Sequence, residues 1–193
     1  MGKLSVLEVI RDRWSPYSFS SIRVEEEKFE LLFEAARFAP SSMNEQPWLF
    51  IFTTKDDGKY FEIFLDFLYE GNRIWAKNAY VIGIVMAKTR FSKNDSPNRH
   101  SLYDTGMAVG NLLAQATSMG LYVHQMGGFS VDKVKKHFGA DDYIEPVAMM
   151  AIGYLGDGTD LSDELKVRDM KRRPRKALNE FVFRNELSNP AFK

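Results

Sequence analysis

The chain has 193 residues, a length that suits one domain with a substantial core. Acidic and basic residues balance at 26 each, which argues against a general nucleic-acid or anionic-membrane surface. The chain contains no cysteine, which excludes disulfides, Cys-ligated metals, iron–sulfur clusters and a thiol nucleophile, so redox chemistry would need a bound cofactor. No apolar run approaches the roughly 20 residues that span a bilayer, and the charged N-terminus does not read as a signal segment. We therefore predict a cytoplasmic protein without a membrane partner.

The first half of the chain predicts helices around one strand. Ser5 and Glu8 fit a capping box, which predicts a first helix that ends at about Arg13. Residues 25–38, EEEKFELLFEAARF, predict an amphipathic helix with acids in its first turn. After the strand Trp48–Thr54, residues 58–69 predict a helix with an aromatic stripe. Such a stripe favours core packing, and the alternative is the wall of a flat pocket or a partner contact.

The second half predicts buried strands and a long helix. Residues 80–87, YVIGIVMA, are apolar throughout, which indicates a strand buried on both faces. The polar stretch 88–101 predicts a long loop, in which Phe91 is a candidate lid over a planar substrate. A helix is predicted from Asp104 to about Met119. Further strands at residues 121–125 and 146–154 flank a basic helix, Val131–Phe138, and a polar region at 156–163 precedes a basic tail.

Small residues recur every four positions along the longest predicted helix, at Gly106, Gly110 and Ala114. A stripe of this kind lets another backbone approach closely, which offsets a helix-propensity cost of roughly 1 kcal/mol for each glycine. The approaching backbone belongs either to the same chain or to a second copy of it. Two histidines invite less interpretation: His100 reads as a surface residue and His124 as a hydrogen-bonded core residue.

A polar turn links the second helix to the first strand in residues 39–54, APSSMNEQPWLFIFTT. Ser41, Ser42, Asn44 and Gln46 supply neutral donors and acceptors that suit the edge of a flat heteroaromatic ring. An ordinary loop has the same composition. The order of residues is more specific, because Pro40-Ser41-Ser42, Asn44 and Gln46-Pro47-Trp48 closely resemble the signature of the nitroreductase family of flavin enzymes.

Three other segments resemble the same family and occur in its order. Arg13-Trp14-Ser15 resembles a segment in which two basic residues precede Ser and a further basic residue follows, with Trp14 in the second basic position and Tyr17 in the last. Residues 125–129, QMGGF, resemble the segment beside the flavin ring. Residues 173–178 resemble the closing motif. Without the resemblance, Arg13 reads as a helix-end cation and the basic tail as a solvated run or a nuclear-type address.

The resemblance implies FMN as cofactor. By family position, Arg13, Arg173 and Arg175 bind its phosphate, and the backbone amide of Gly127 donates to flavin N5. The other implied cofactor-binding residues are Trp14, Ser15, Ser41, Ser42, Met43, Asn44, Gln125, Met126 and Gly128. No side chain is implied as an acid, base or nucleophile, because the flavin carries the chemistry.

The family implies NAD(P)H as reductant and a quinone or nitroaromatic as acceptor, in a ping-pong reaction. It implies an α+β fold with a mostly antiparallel sheet flanked by helices, built as an interlocked homodimer. Residues 1–193 then form one domain, with 167–193 as an extension that embraces the partner. Two alternatives remain: a flavin enzyme with another reaction, such as reductive dehalogenation or an oxygen-dependent step, and a flavin-binding protein without useful turnover.

Overall fold

The computed structural model describes residues 5–171 and 174–192. Within these residues a four-stranded antiparallel sheet lies between two layers of helices. The strands are β1 (Trp48–Thr54), β2 (Val81–Lys88), β3 (Tyr122–Met126) and β4 (Ile144–Gly153), in the spatial order β1-β2-β4-β3. The predicted α+β class and antiparallel sheet are confirmed.

The sheet is buried most completely at its centre. Every residue of β2 except Lys88 is buried, and β4 is buried over its last five residues. Because helices cover both faces of the sheet here, alternation of polar and apolar residues is lost and the strand is apolar throughout. The edges are β1 and β3, and β3 carries His124 and Gln125 on opposite faces.

Helices α2 (Glu26–Arg37) and α5 (Ser101–Ser118) pack together on one face of the sheet. Their buried residues, among them Leu32, Ala36 and Leu112, form one core with Val85 of β2. The short helix α1 (Glu8–Arg11) has no buried residue and lies against α5.

The opposite face carries α3 (Lys59–Phe67), α4 (Glu70–Ala76), α6 (Val131–Phe138) and α7 (Asp163–Met170). Phe61, Phe64 and Phe67 of α3 are buried with Trp75 in this second core. The aromatic stripe is therefore core packing at these positions, as favoured, whereas its first aromatic residue, Tyr60, is 61% exposed. Among the described helices, none is both long and apolar enough to cross a bilayer.

Several predicted boundaries are wrong for local reasons. Helix α1 begins only at Glu8, with Leu7 as its N-cap, so the capping box at Ser5 does not form. Helix α5 begins at Ser101, three residues before the predicted start at Asp104. The sequence pattern missed α4 and α7 altogether. The stretch 88–101 includes a folded hairpin, closed by a bridge between Arg90 and Pro97 and by hydrogen bonds that include Phe91 N–H to Ser96 O at 2.9 Å.

A three-residue network ties the start of α2 to the end of the sheet. Tyr154 donates its hydroxyl proton to Glu25 at 2.5 Å and accepts a hydrogen bond from Lys28 at 2.6 Å. The tyrosine hydroxyl is the main cause that lowers the pKa of Glu25 to about 2, from an ordinary 4.5. Glu25 precedes the first residue of α2, where a negative charge also complements the helix dipole.

Tyr154→Phe keeps the ring and removes the hydroxyl, so the pKa of Glu25 should rise toward 4.5. A carboxylate with a depressed folded-state pKa stabilises the fold above its unfolded-state pKa, and this contribution is lost as the pH falls through about 2. As the pH falls from 4.5 to about 2, Tyr154→Phe should therefore lose less stability than the wild type. NMR titration of the Glu25 carboxyl and acid unfolding measure both effects, with the exposed Tyr60→Phe as control. An unchanged Glu25 titration in Tyr154→Phe would contradict this assignment.

Candidate cofactor site

The predicted polar turn at residues 41–46 has unusual backbone geometry. Three of its residues have left-handed φ angles, at 55° for Met43, 57° for Asn44 and 52° for Gln46. None of these is glycine, and this conformation costs roughly 1–2 kcal/mol for each residue with a Cβ atom. Backbone strain of this kind concentrates at ligand sites and persists only where surrounding contacts fix it. We call this segment the left-handed turn.

Hydrogen bonds from two directions fix the left-handed turn. The buried carboxylate of Asp104, which is 3% exposed, accepts the backbone N–H of Ser42 at 2.9 Å. Inside the turn, Ser41 Oγ accepts the backbone N–H of Gln46 at 3.0 Å. The first contact comes from α5, so the turn is anchored on the longest helix. Met43 is left 80% exposed at its tip.

The hairpin that contains Phe91 is hydrogen-bonded to the left-handed turn. Glu45 Oε1 accepts two hydrogen bonds from Ser92, one from its hydroxyl at 2.5 Å and one from its backbone N–H at 2.9 Å. These bonds lower the pKa of Glu45. Phe91 is half-buried beside this contact. The hairpin therefore adjoins the predicted flavin-binding turn as an ordered element. Whether Phe91 covers a substrate stays a prediction.

Asp104→Ala removes the acceptor for the Ser42 N–H and should destabilise the protein by about 1–3 kcal/mol, the usual cost of an unsatisfied buried donor. Asp104→Asn retains a carbonyl oxygen at the same place and should lose less. Urea unfolding monitored by circular dichroism gives both values. Equal losses in the two variants would show that the negative charge, rather than the acceptor for Ser42, is what the fold requires.

The second predicted half of the site is a cleft of about 700 Å³ at the edge of the sheet. We call it the cationic cleft. Five basic side chains line it, and the one carboxylate among its described lining residues is Asp169. That carboxylate is already engaged, because its Oδ1 accepts the backbone N–H of Tyr17 at 2.5 Å. The basic residues are Arg11, Arg13, Arg168, Lys171 and Arg175.

The N-terminal wall of the cleft is an extended segment that includes Arg13, Trp14, Ser15 and Tyr17. Arg13 Nη1 donates to Ser15 Oγ at 3.2 Å, so the predicted phosphate ligand Arg13 and the predicted cofactor-binding residue Ser15 are already oriented together. Trp14 packs edge-on against the ring of Tyr122, with centroids 6.1 Å apart. Trp14 thus serves as a wall of the cleft, in the position where the resembled pattern has a cation.

His124 forms the floor of the cleft and is packed tightly. Its ring centroid lies 4.4 Å from that of Trp75 and 4.9 Å from that of Tyr17. Its Nδ1 lies 2.7 Å from the carbonyl oxygen of Pro16, which can only accept, so Nδ1 carries the proton. Burial lowers the pKa of His124, which keeps the ring neutral at pH 7. The predicted hydrogen-bonded histidine is confirmed, and it also faces the cleft.

Helix α7 closes the cleft on its other side, and the sequence pattern did not reveal it. Arg168 and Asp169 project from this helix, and Lys171 follows it. A usable signal was present: Ser162 precedes two acids, as a helix start requires, and its side chain accepts the Leu165 N–H. Arg175 comes from the segment beyond α7, whereas Arg173 lies outside the described residues.

The predicted flavin-contacting segment continues from the cleft along β3. Beyond Met126, the carbonyl of Gly128 accepts hydrogen bonds from Tyr69 N–H at 3.0 Å and from Asn72 Nδ2 at 3.1 Å. A Cβ atom on Gly128 would lie 2.7 Å from Asn72 Nδ2, so a larger residue there would require the Asn72 side chain to shift. A Cβ on Gly127 would meet nothing within 4 Å, so its backbone faces open space.

The structure thus groups the predicted residues in two places. Arg13, Trp14, Ser15 and Arg175 line the cationic cleft, and Gln125 to Gly128 follow from its floor. The left-handed turn, with Ser41, Ser42, Met43 and Asn44, contributes no residue to that cleft.

Comparison with known proteins decides the family. The model of the nitroreductase family matches residues 10–73 and 64–154. The chain belongs to the nitroreductase family. Members of this family are oxidoreductases. One relative of the chain is a Streptomyces coelicolor protein whose name proposes NADH dehydrogenase or NAD(P)H nitroreductase activity. That protein is 24% identical over 162 residues, 74% of this chain and 79% of its own length.

Two further relatives support this assignment. A Mycolicibacterium smegmatis protein of 15.4 kDa, named as uncharacterized, is 36% identical over 92 residues, 48% of this chain and 62% of its own. A crystal structure described as an oxidoreductase containing FMN is 31% identical, with a TM-score of 0.89 over 98% of this chain and 96% of that one. The antiparallel sheet and helical layers described above are therefore the nitroreductase fold.

Proposed function

We propose that this nitroreductase is an FMN-dependent oxidoreductase that moves electrons from NAD(P)H to a small acceptor such as a quinone or nitroaromatic. The observation that carries the proposal is the cationic cleft. Its surplus of positive charge, with Asp169 already bonded to Tyr17, suits a dianionic group rather than a neutral or cationic ligand. The solved relative at 31% identity is described as containing FMN, which supports the same cofactor here.

The donor set fits a phosphate monoester. Arginine guanidinium groups present several fixed donors and keep their charge at all relevant pH values, and Ser15 adds a neutral hydroxyl donor. Arg13 and Arg175 would hold the phosphate, together with Arg173. Neutral His124 would add no further charge to the cleft.

The chain's remaining contacts would orient the flavin ring. Gly127 would bring its backbone N–H close to the ring, because its open side leaves room for a flat group. The left-handed turn, with Ser41, Ser42 and Asn44, would hydrogen-bond to polar atoms on the ring edge. When bound, FMN supplies the redox chemistry, accepting hydride from NAD(P)H and returning electrons to the acceptor in a ping-pong cycle. No side chain need act as an acid or base.

The purified protein should be yellow, with noncovalently bound FMN. Heat-released supernatant analysed by chromatography should contain FMN as the main flavin, and turnover with NADPH or NADH and a quinone should give the parallel-line kinetics of a ping-pong reaction. FAD as the main species, or no flavin after reconstitution with FMN, would refute the proposal. Bound FMN without reduction by either nicotinamide would support a flavin-binding protein without turnover.

We propose that the protein is a homodimer whose interface includes α5. A Cβ atom at Gly106 or Gly110 would meet nothing within 4 Å, so neither glycine serves close packing against the described part of the chain. Nearby, Leu102 and Tyr103 are 50% and 71% exposed. An exposed apolar face with two glycines is unfavourable for an isolated helix and suits close approach by a second helix.

The C-terminal residues 174–192 also support a dimer. Residues 174–192 are almost entirely exposed, although they include Phe181, Leu187 and Phe192, which are 56%, 84% and 53% exposed. Such apolar groups are costly in water. We propose that residues 167–193 embrace the partner, as an extension of the single domain 1–193. A cytoplasmic location stays a sequence-based prediction.

Gly110→Leu should convert the dimer to a monomer, because the added side chain fits in the isolated subunit but obstructs a helix approaching the stripe. Light scattering should fall from twice the chain mass to the chain mass, while far-UV circular dichroism is unchanged. Lys136→Leu, which adds the same side chain to the exposed side of α6, is the control. A Gly110→Leu dimer that binds FMN normally would refute the α5 interface.

A further inference from the structure

Arg168 is the cation in the cleft that no sequence motif assigns. It comes from α7 and shares the cleft with Arg13, Ser15 and Arg175. Its guanidinium carbon lies 5.2 Å from the centroid of the Tyr17 ring, and its Nη2 donates to the Tyr17 hydroxyl at 3.1 Å. Stacking on an aromatic face and a hydrogen bond to the same side chain together orient the guanidinium.

The backbone around this pair is held as well. The neighbouring Asp169 accepts the Tyr17 N–H at 2.5 Å, so helix α7 contacts the segment through two consecutive side chains. The Arg168 guanidinium is consequently presented from a fixed helix against a fixed extended segment. Preorganisation of this kind reduces the entropy lost when a ligand binds.

Among the described residues, the charge of Arg168 is only weakly compensated. Its acidic contact, Glu164, is 4.0 Å away and the two side chains are 49% and 84% exposed, a geometry that contributes little in water. Arg11 differs: it lies 2.8 Å from Asp12 and 3.6 Å from Glu8, and the hydrogen bond to Asp12 is the main cause that raises its pKa. Two cations that line the same cleft are thus unequal as anion ligands.

The position of Arg168 also accounts for a departure in the sequence. Tyr17 stands where the resembled pattern has its last basic residue, so the segment lacks that cation. Here the Tyr17 ring and hydroxyl instead carry the guanidinium of Arg168. We propose that Arg168 binds the phosphate group of the flavin cofactor, in the place of the cation that Tyr17 replaces. This inference rests on the proposed FMN-dependent function.

Fluorescence titration of apoprotein with FMN and with riboflavin tests the inference. Arg168→Gln keeps a polar side chain but loses the charge, and its FMN affinity should fall by roughly 5- to 20-fold. Arg168→Lys retains the charge without the guanidinium fork and should recover part of that loss. Riboflavin has no phosphate, so its affinity should be unchanged in both variants. The loss for FMN should shrink at high salt, where charge interactions are screened.

Two comparisons make the result specific. Lys166→Gln removes a cation from the same helix outside the cleft and should leave FMN affinity unchanged. Arg175→Ala reports on a ligand implied by the sequence motif and should weaken FMN binding by roughly 10- to 150-fold. Lys171 lines the cleft and is unsuitable as a control.

The outcomes separate this inference from the function on which it rests. Failure of the wild type to bind FMN would overturn both. Normal FMN affinity in Arg168→Gln, with a large loss in Arg175→Ala, would overturn the role of Arg168 alone. An equal loss of FMN and riboflavin would show that Arg168 only supports the shape of the cleft, and would likewise overturn phosphate binding.

Discussion

The cationic cleft depends on how the extended segment around Pro16 is fixed to the sheet. The carbonyl oxygen of Pro16 accepts from His124 on β3, Tyr17 N–H is bonded to Asp169 of α7, and buried Phe19 pairs with Leu155 beyond β4. These contacts join parts of the chain that are more than a hundred residues apart. Arginines from the N-terminus and from the region around α7 therefore meet at one edge of the sheet. Without this segment the basic residues would be scattered surface charges, each well solvated and weakly selective.

Sequence patterns predicted those features that depend on local order. Three elements lie where expected: the apolar strand β2, the basic helix α6 and the polar turn before β1. Each could be predicted because burial patterns and turn preferences depend on residues that are adjacent in sequence. The left-handed angles of Met43 and Gln46 were not predictable, since neither residue favours them and Asp104 is distant in sequence. The role of Arg168 was equally hidden, because it arises from a contact across 151 residues. The four-residue spacing of the small side chains could not show whether Gly110 faces the core of its own chain or the surface.

The two groups of predicted cofactor residues lie on different parts of the subunit. The cationic cleft is built on the β3 edge and α7, whereas the left-handed turn is anchored by Asp104 to the first turn of α5. Gly106, two residues beyond Asp104, faces outward. A second subunit that packs on α5 would therefore approach beside the turn. In the proposed dimer, the interface and the ring-binding turn share one helix, so that association and cofactor binding reinforce each other.

Concentrating like charges in one cleft opposes folding, because each guanidinium raises the electrostatic potential at its neighbours. The chain limits this repulsion locally: Arg11 is paired with Asp12, and Arg168 lies over the electron-rich face of Tyr17. Neutral His124 lines the same cleft, where burial disfavours a further positive charge. An anionic ligand that binds only the folded state offsets the remaining repulsion by mass action. The positive potential that destabilises the folded chain alone is thus the one that would attract a phosphate group. Cofactor binding and stability therefore depend on the same arrangement of charges.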